Sequence, residues 1–179
     1  MVFQNERLIV RNLTEEDKHL LANWLSNPTV LEFYEGRDNP HDIDKVNQHF
    51  YVGTDEVSRC IVKYEGEAIG YIQFYPLDNQ SKITYGYDKN QVIYGTDQFI
   101  GESAFWNRGI GKLLVSSMVG YLSTVKKVDK IVMDPQAWNE RAICCYERCG
   151  FKKVKLLLQH EMHEGELKGC WLIEYRNKQ

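Results

Sequence analysis

Apolar and polar positions along the chain change period several times, and each change predicts an element. Glu6–Leu13 alternates loosely, with Leu8 and Val10 set against Arg7, Ile9 and Arg11, and reads as a strand. Thr14 then has the character of a helix N-cap, with Glu15, Glu16 and Asp17 placed to favour the positive end of the helix dipole. Leu20, Leu21, Trp24 and Leu25 form a short amphipathic stripe that Asn27-Pro28 ends. The stretch Val30–Tyr51 mixes aromatics and charges, and Ile43, Val46, Asn47 and Phe50 suggest a helix within it. Ser58–Tyr64 and Ala68–Tyr75 are strand-like runs joined by the hairpin signal Glu65-Gly66-Glu67, and Val92–Ile100 is a third.

The strongest helical period follows. Ile110, Leu113, Leu114, Ser117, Met118, Tyr121, Leu122 and Val125 recur every three or four residues for four turns. Lys130–Met133 is a short strand. Asn139 caps a further helix with Ala142, Ile143, Tyr146 and Cys149 on one face and Gly150 as its stop. Phe151–Leu158 and Cys170–Tyr175 are the closing strands. Hairpins combined with two late helices between strands predict an α/β (α+β) chain built on a single sheet, with residues 1–179 as one domain.

Composition is ordinary for a globular protein, with 43% hydrophobic and 26% charged residues. The charged start MVFQNERLIVRNL has no apolar leader core, so a cytoplasmic protein without a membrane span is expected. Five cysteines without a CxxC pair suggest reduced thiols used as small apolar residues. Net charge is −3, but residues 1–105 carry −8 and residues 106–179 carry +5. An acidic front and a basic back suit a cationic substrate and an anionic cofactor. His160-Glu161-Met162-His163 lacks the i, i+4 spacing of a zinc motif, so no metal is expected. Lys126–Lys130 is too short and broken to indicate nucleic acid.

The chemistry concentrates on the turn Arg108-Gly109-Ile110-Gly111-Lys112. A helix N-terminus offers unpaired N–H groups to phosphate, glycines let the backbone come close, and Arg108 and Lys112 add charge. The turn is neither a Walker A loop nor a dinucleotide fingerprint. About 30 residues on stands Asn139-x-x-Ala142-x-x-x-Tyr146-x-x-x-Gly150-Phe151. The pair of motifs resembles the GCN5-related N-acetyltransferase (GNAT) superfamily. That resemblance implies a mixed, mostly antiparallel sheet with helices on both faces, and acetyl-CoA as cosubstrate. It implies a cofactor site at Arg108, Gly109, Ile110, Gly111, Lys112 and Leu113, with Asn139, Ala142 and Tyr146 near pantetheine and thioester, and Tyr146 as acid to the leaving thiolate. Trp106 departs from the family, which usually has Gln or Arg there.

Phe33–Asp38, Ile69–Gln73, Gly95–Glu102, Asp134-Pro135 and the segment His160–Gly165, taken as a loop, resemble aminoglycoside 6′-N-acetyltransferases. The match spans roughly residues 6–176. An ammonium must lose its proton before attacking a thioester, and Asp97 stands at the end of an apolar run just before the cofactor turn. It matches the family's proposed base. Backbone N–H groups around Phe99, Ile100 and Gly101 would polarise the thioester carbonyl. Trp24, Tyr34, Asp38, Gln73, Tyr75 and Asp134 are the further candidates to line a polycation site, by charge pairing and by flat aromatic faces. An aminoglycoside is the expected acceptor, in a monomer or homodimer. A protein N-terminus or a polyamine is the alternative acceptor, and an acyl-CoA-binding module without turnover is a reading of another class.

Overall fold

The structure, a computed structural model, describes residues 1–53 and 56–177. Its eight strands form one sheet in the order β1-β2-β3-β4-β5-β6-β8-β7, antiparallel throughout except where β5 (Ile93–Ile100) meets β6 (Lys130–Met133).

The predicted first strand is a hairpin: β1 (Phe3–Asn5) turns at Glu6-Arg7 into β2 (Leu8–Asn12). Phe3-Gln4-Asn5 is too short to show an alternation, which is why β1 was illegible. β3 (Ser58–Tyr64) and β4 (Glu67–Pro76) form the predicted hairpin, with Glu65 at φ 52° and Gly66 at 89°, the left-handed pair that a tight two-residue turn requires. The last hairpin is far longer than its apolar runs. β7 (Lys152–His163) and β8 (Glu166–Arg176) continue to a turn at Glu164-Gly165, so His160 and Glu161 lie on a strand and not in a loop. β7 is an edge strand with almost every side chain exposed, so no alternation marks its outer half.

Alternation along β3, β4 and β5 divides the core between the two faces of the sheet. On one face, Val62, Ile72 and Phe74 pack against Ile110, Leu114, Met118 and Leu122 of α5 (Ile110–Thr124). Tyr146 and Cys149, at α6 (Glu140–Arg148) and its C-cap, pack against the same cluster. On the other face, Ile61, Tyr71 and Phe99 pack against Leu21, Trp24 and Leu25, in and just after α1 (Lys18–Trp24). Val30 and Leu31 of α2 (Pro28–Leu31) and Val46 of α3 (Ile43–Val46) complete that cluster. Asn27-Pro28 both ends the α1 region and opens α2, its Asn side chain accepting from the Thr29 N–H at 3.0 Å. α4 (Asn79–Tyr85), exposed and polar, follows β4.

Among the described residues, no helix is long and apolar enough to cross a membrane. Cys60 and Cys170 are buried as small apolar residues should be, but Cys144, Cys145 and Cys149 are not.

Candidate functional site

β5 and β6 pair only over Ile93–Gly95 and Lys130–Val132. β5 stays with β4 as far as Ile100, while Pro135 and Ala137 bond to Trp171 and Gly169 and keep the end of β6 with β8. The sheet therefore splits beyond Gly95. Leu77 N–H bonds to Ile93 O and Gly101 N–H to Ile69 O, each at 2.8 Å, so the odd-numbered residues of β5 face β4. The backbone of Thr96, Gln98 and Ile100 faces the split. This corrects the expectation for Phe99 and Gly101, whose N–H groups turn towards β4; the free-facing N–H groups are those of Gln98 and Ile100.

A cavity of about 530 Å³ lies at the split on the α5–α6 side. Of the residues expected to hold the cofactor, Phe99, Ile100, Gly109, Gly111, Lys112, Asn139, Ala142 and Tyr146 line it. Gly109, the N-cap of α5, has φ +78°, which explains a glycine there. Gly111 is inside the helix and does not have a positive φ; its role is space, since the nearest atom to an added Cβ is Cys145 Sγ at 3.9 Å. The first bond of α5 runs from Leu113 N–H to Gly109 O, so the N–H groups of Ile110, Gly111 and Lys112 have no partner within the helix. Ile110 is buried in the core, Leu113 packs against it, and Gly101 lies under the Trp24 ring, so these three do not line the cavity. Arg108 sits at its rim over the Phe105 ring, 5.2 Å away.

Phe33, Trp106, Arg141 and Arg148 also line this cavity and were not foreseen. The Arg141 guanidinium lies 4.6 Å from both the Phe33 and the Trp106 ring centres, and Trp106 Nε1 donates to Ile100 O at 2.8 Å. Trp106 is thus a wall of the cavity. Arg108, Lys112, Arg141 and Arg148 form no ion pair among the described residues. Four uncompensated cations around exposed helix N–H groups make an anion site. The basic back half was the available signal, without saying which arginines converge.

A second cavity of about 120 Å³ shares Phe33, Tyr34, Gln98, Asn139, Ala142 and Tyr146 with the first and adds Asp97, Asp134 and Glu161. Its charge is the reverse of the first cavity's. Gln98 Nε2 donates to the Tyr146 hydroxyl at 2.9 Å where the two cavities meet. Burial pushes that hydroxyl up to about 12, so it keeps its proton at neutral pH. Burial likewise raises the Asp97 carboxyl to about 6; a hydrogen bond from Gln73 Nε2 (2.8 Å) opposes the rise and the charge of Asp134 adds to it. Gln73 in turn accepts from the Tyr71 hydroxyl at 2.8 Å, which fixes its amide. Asp134 bonds to His160 Nε2 at 2.9 Å.

The structure separates the expected acceptor residues. Tyr34, Asp97 and Asp134 line the second cavity; Gln73 and Tyr75 touch Asp97 and can act only through it. Trp24 is buried in the α1 core, with its Nε1 donating to Glu102 at 2.7 Å, and contacts neither cavity. Asp38 lies on an exposed turn with its carboxyl over Gly36, and lines neither cavity. Glu161, quoted in the resemblance without a role, belongs to the lining. The chain segment bearing Phe33 and Tyr34 is tied to the far hairpin by Arg37, whose Nη2 donates to Glu164 at 2.8 Å and whose N–H does so at 3.0 Å. Among the described residues, no group of three or more His, Cys, Asp or Glu could hold a metal.

Residues 14–157 match the family model of the acetyltransferase (GNAT) domain. The chain is similar to aminoglycoside N(6′)-acetyltransferase type 1 of Klebsiella pneumoniae, 28% identical over 152 residues, which are 83% of this chain and 76% of that protein. The aminoglycoside acetyltransferase AAC(6′)-Ib, solved with coenzyme A and kanamycin, has a TM-score of 0.73 at 24% identity, covering 94% of each chain. A spermidine N-acetyltransferase from Vibrio cholerae, solved with CoA and spermine, has a TM-score of 0.77 at 18% identity, covering 97% of each.

Proposed function

The chain belongs to the acetyltransferase (GNAT) domain family and is an acetyl-CoA-dependent N-acetyltransferase, and from that premise we propose that its acceptor is the 6′-amine of an aminoglycoside. The observation that carries the proposal is the carboxylate group Asp97, Asp134 and Glu161, gathered in a cavity that opens at Tyr146 onto the cationic one. Residues 1–179 are read as one domain in this scheme.

The cofactor's pyrophosphate would lie on the N–H groups of Ile110, Gly111 and Lys112, with Arg108, Lys112, Arg141 and Arg148 neutralising it. Acetyl-CoA supplies an activated acyl group at the end of pantetheine. Gln98 and Ile100 N–H, fixed at the split, are the donors aimed at its carbonyl oxygen. In the second cavity, Asp134 and Glu161 attract ammonium groups and Asp97, raised to about 6 by burial, takes the proton of the reacting one. The free amine attacks the acyl carbon directly. Tyr146 gives its proton to the departing thiolate, for which Gln98 Nε2 holds the hydroxyl in place. The product has lost one positive charge and a basic site, which weakens its hold on nucleic-acid phosphates and would confer resistance.

A polyamine acceptor is the second reading, favoured by the Vibrio cholerae neighbour and by the small volume of the acidic cavity. Thiol release with kanamycin, tobramycin, ribostamycin and spermidine, followed by NMR of the product, separates the two. Turnover of spermidine alone, or acetylation away from the 6′ nitrogen, refutes the first reading.

A further inference from the structure

His160 and Glu161 are consecutive on β7, and consecutive residues of a strand ordinarily face opposite sides of the sheet. Here both reach across β8 to the chain that follows β6. His160 Nε2 lies 2.9 Å from Asp134 Oδ2, and Glu161 Oε2 accepts from Gln136 Nε2 at 3.1 Å. The pairing of β7 with β8 slips between Leu157 and Glu161, where Gln159 takes φ +46°, and such a bulge re-aims the side chains beside it. Asp134 and Glu161 line the acidic cavity, whereas His160 does not. It stands behind Asp134, and its side chain is partly exposed.

The three carboxylates of that cavity are held alike, each by one side-chain nitrogen. Asp97 Oδ2 meets Gln73 Nε2, Asp134 Oδ2 meets His160 Nε2, and Glu161 Oε2 meets Gln136 Nε2. Trp138 Nε1 donates to Gln136 Oε1, which fixes the end of that amide that faces Glu161. Among the described residues, neither Lys nor Arg lines this cavity. A carboxylate without a fixed partner samples several rotamers, and a bound ammonium must stop that motion at a cost in affinity.

We propose that His160 is an acceptor-positioning residue: its Nε2–H holds Asp134 in the rotamer that receives an ammonium group of the acceptor other than the reacting one. An ionised carboxylate only accepts, so the proton of this contact sits on Nε2. Asp97 serves the reacting amine, which leaves Asp134 to a second one. This role rests on reading the acidic cavity as the acceptor site.

The test compares the full chain with His160→Ala, His160→Gln, Asp134→Ala and the double variant His160→Ala with Asp134→Ala, by steady-state thiol release with kanamycin and acetyl-CoA. His160→Ala should raise the KM for kanamycin about three- to tenfold, with kcat and the KM for acetyl-CoA held within about twofold. Gln can place its amide nitrogen where Nε2 stands, so His160→Gln should recover most of the parent KM. Without the Asp134 carboxylate there is nothing for His160 to hold, and adding His160→Ala to Asp134→Ala should change the KM by less than about twofold. A fall in kcat, a matching rise in the KM for acetyl-CoA, a His160→Gln chain no better than His160→Ala, or effects that multiply in the double variant would overturn the proposal. A long-range proton–nitrogen NMR spectrum of the imidazoles, with His160→Gln to assign the signal, should show a proton on His160 Nε2 at neutral pH; a bare Nε2 overturns the proposal as well. If the parent turns over spermidine and not kanamycin, the same cycle is read with spermidine and only the aminoglycoside reading falls. A parent that turns over neither overturns the reading of the cavity, and the spectrum still decides whether His160 holds Asp134.

Discussion

Replacing Asp97 by Asn should make the protein more stable and much less active, and both effects can be sized. Burial raises the carboxyl from 3.8 to about 6, so the fold favours its neutral form. Each pH unit of such a rise corresponds to about 1.4 kcal/mol, so ionising Asp97 in the folded chain costs about 3 kcal/mol above pH 6. The sign follows from the direction of the shift. Below the unfolded value, near pH 4, the group is neutral in both states and costs nothing; the cost develops as pH rises through 4 to 6 and is complete above that. Asn keeps the acceptor oxygen for Gln73 Nε2 and removes the charge facing Asp134. The variant should therefore unfold roughly 6–12 °C higher at pH 7.5, and the gain should vanish by pH 4. Without a base, kcat should fall about 10²–10⁴-fold. Calorimetric melts at the two pH values, with thiol release at pH 7.5, measure both. A variant that melts lower at pH 7.5, or turns over within tenfold of the parent, refutes the assignment of Asp97 as a buried base.

The parent enzyme's kcat/KM should fall about tenfold per pH unit below 6 as Asp97 takes up its proton, a limb that Asp97→Asn should lack in its residual activity. Tyr146→Phe keeps the ring against Phe151 but removes the proton donor; kcat should drop about 10²-fold with little change in the KM for acetyl-CoA, and an equal rise in that KM would assign the hydroxyl to binding. Gly101→Ala would place a Cβ 2.3 Å from the Trp24 ring, so denaturant melts should show a loss of about 1–3 kcal/mol and displaced tryptophan fluorescence. Arg37→Gln releases the Phe33–Tyr34 segment from Glu164, and steady-state kinetics should show a higher KM for the acceptor with that for acetyl-CoA unchanged.

Local patterns in the sequence determined the elements whose chemistry is local. α5 was legible from its apolar period, its start from a glycine that must take a positive φ, α6 from its Asn cap and Gly stop, and the β3–β4 hairpin from a turn that needs left-handed residues. The turn at the start of α5 was legible for the same reason, because a helix N-terminus carries its own unpaired N–H groups. Asp97 could be singled out because it is a carboxylate on a largely apolar run that comes before that turn in the chain, although it lies inside β5 and not at its end.

Tertiary structure decided everything that depends on side chains meeting across the fold. β7 was illegible beyond its apolar half because an exposed edge strand has no face to alternate, so Glu161 reached the acidic cavity unannounced. Trp24 has the composition of a substrate-stacking residue, but α1 turns it into the core beneath Gly101. Arg141 and Trp106 are distant in sequence, and only the split between β5 and β6 brings them to one wall. The split itself has no sequence mark. It exists because the end of β5 remains bonded to β4 while the chain after β6 remains bonded to β8, and no single segment contains that divergence.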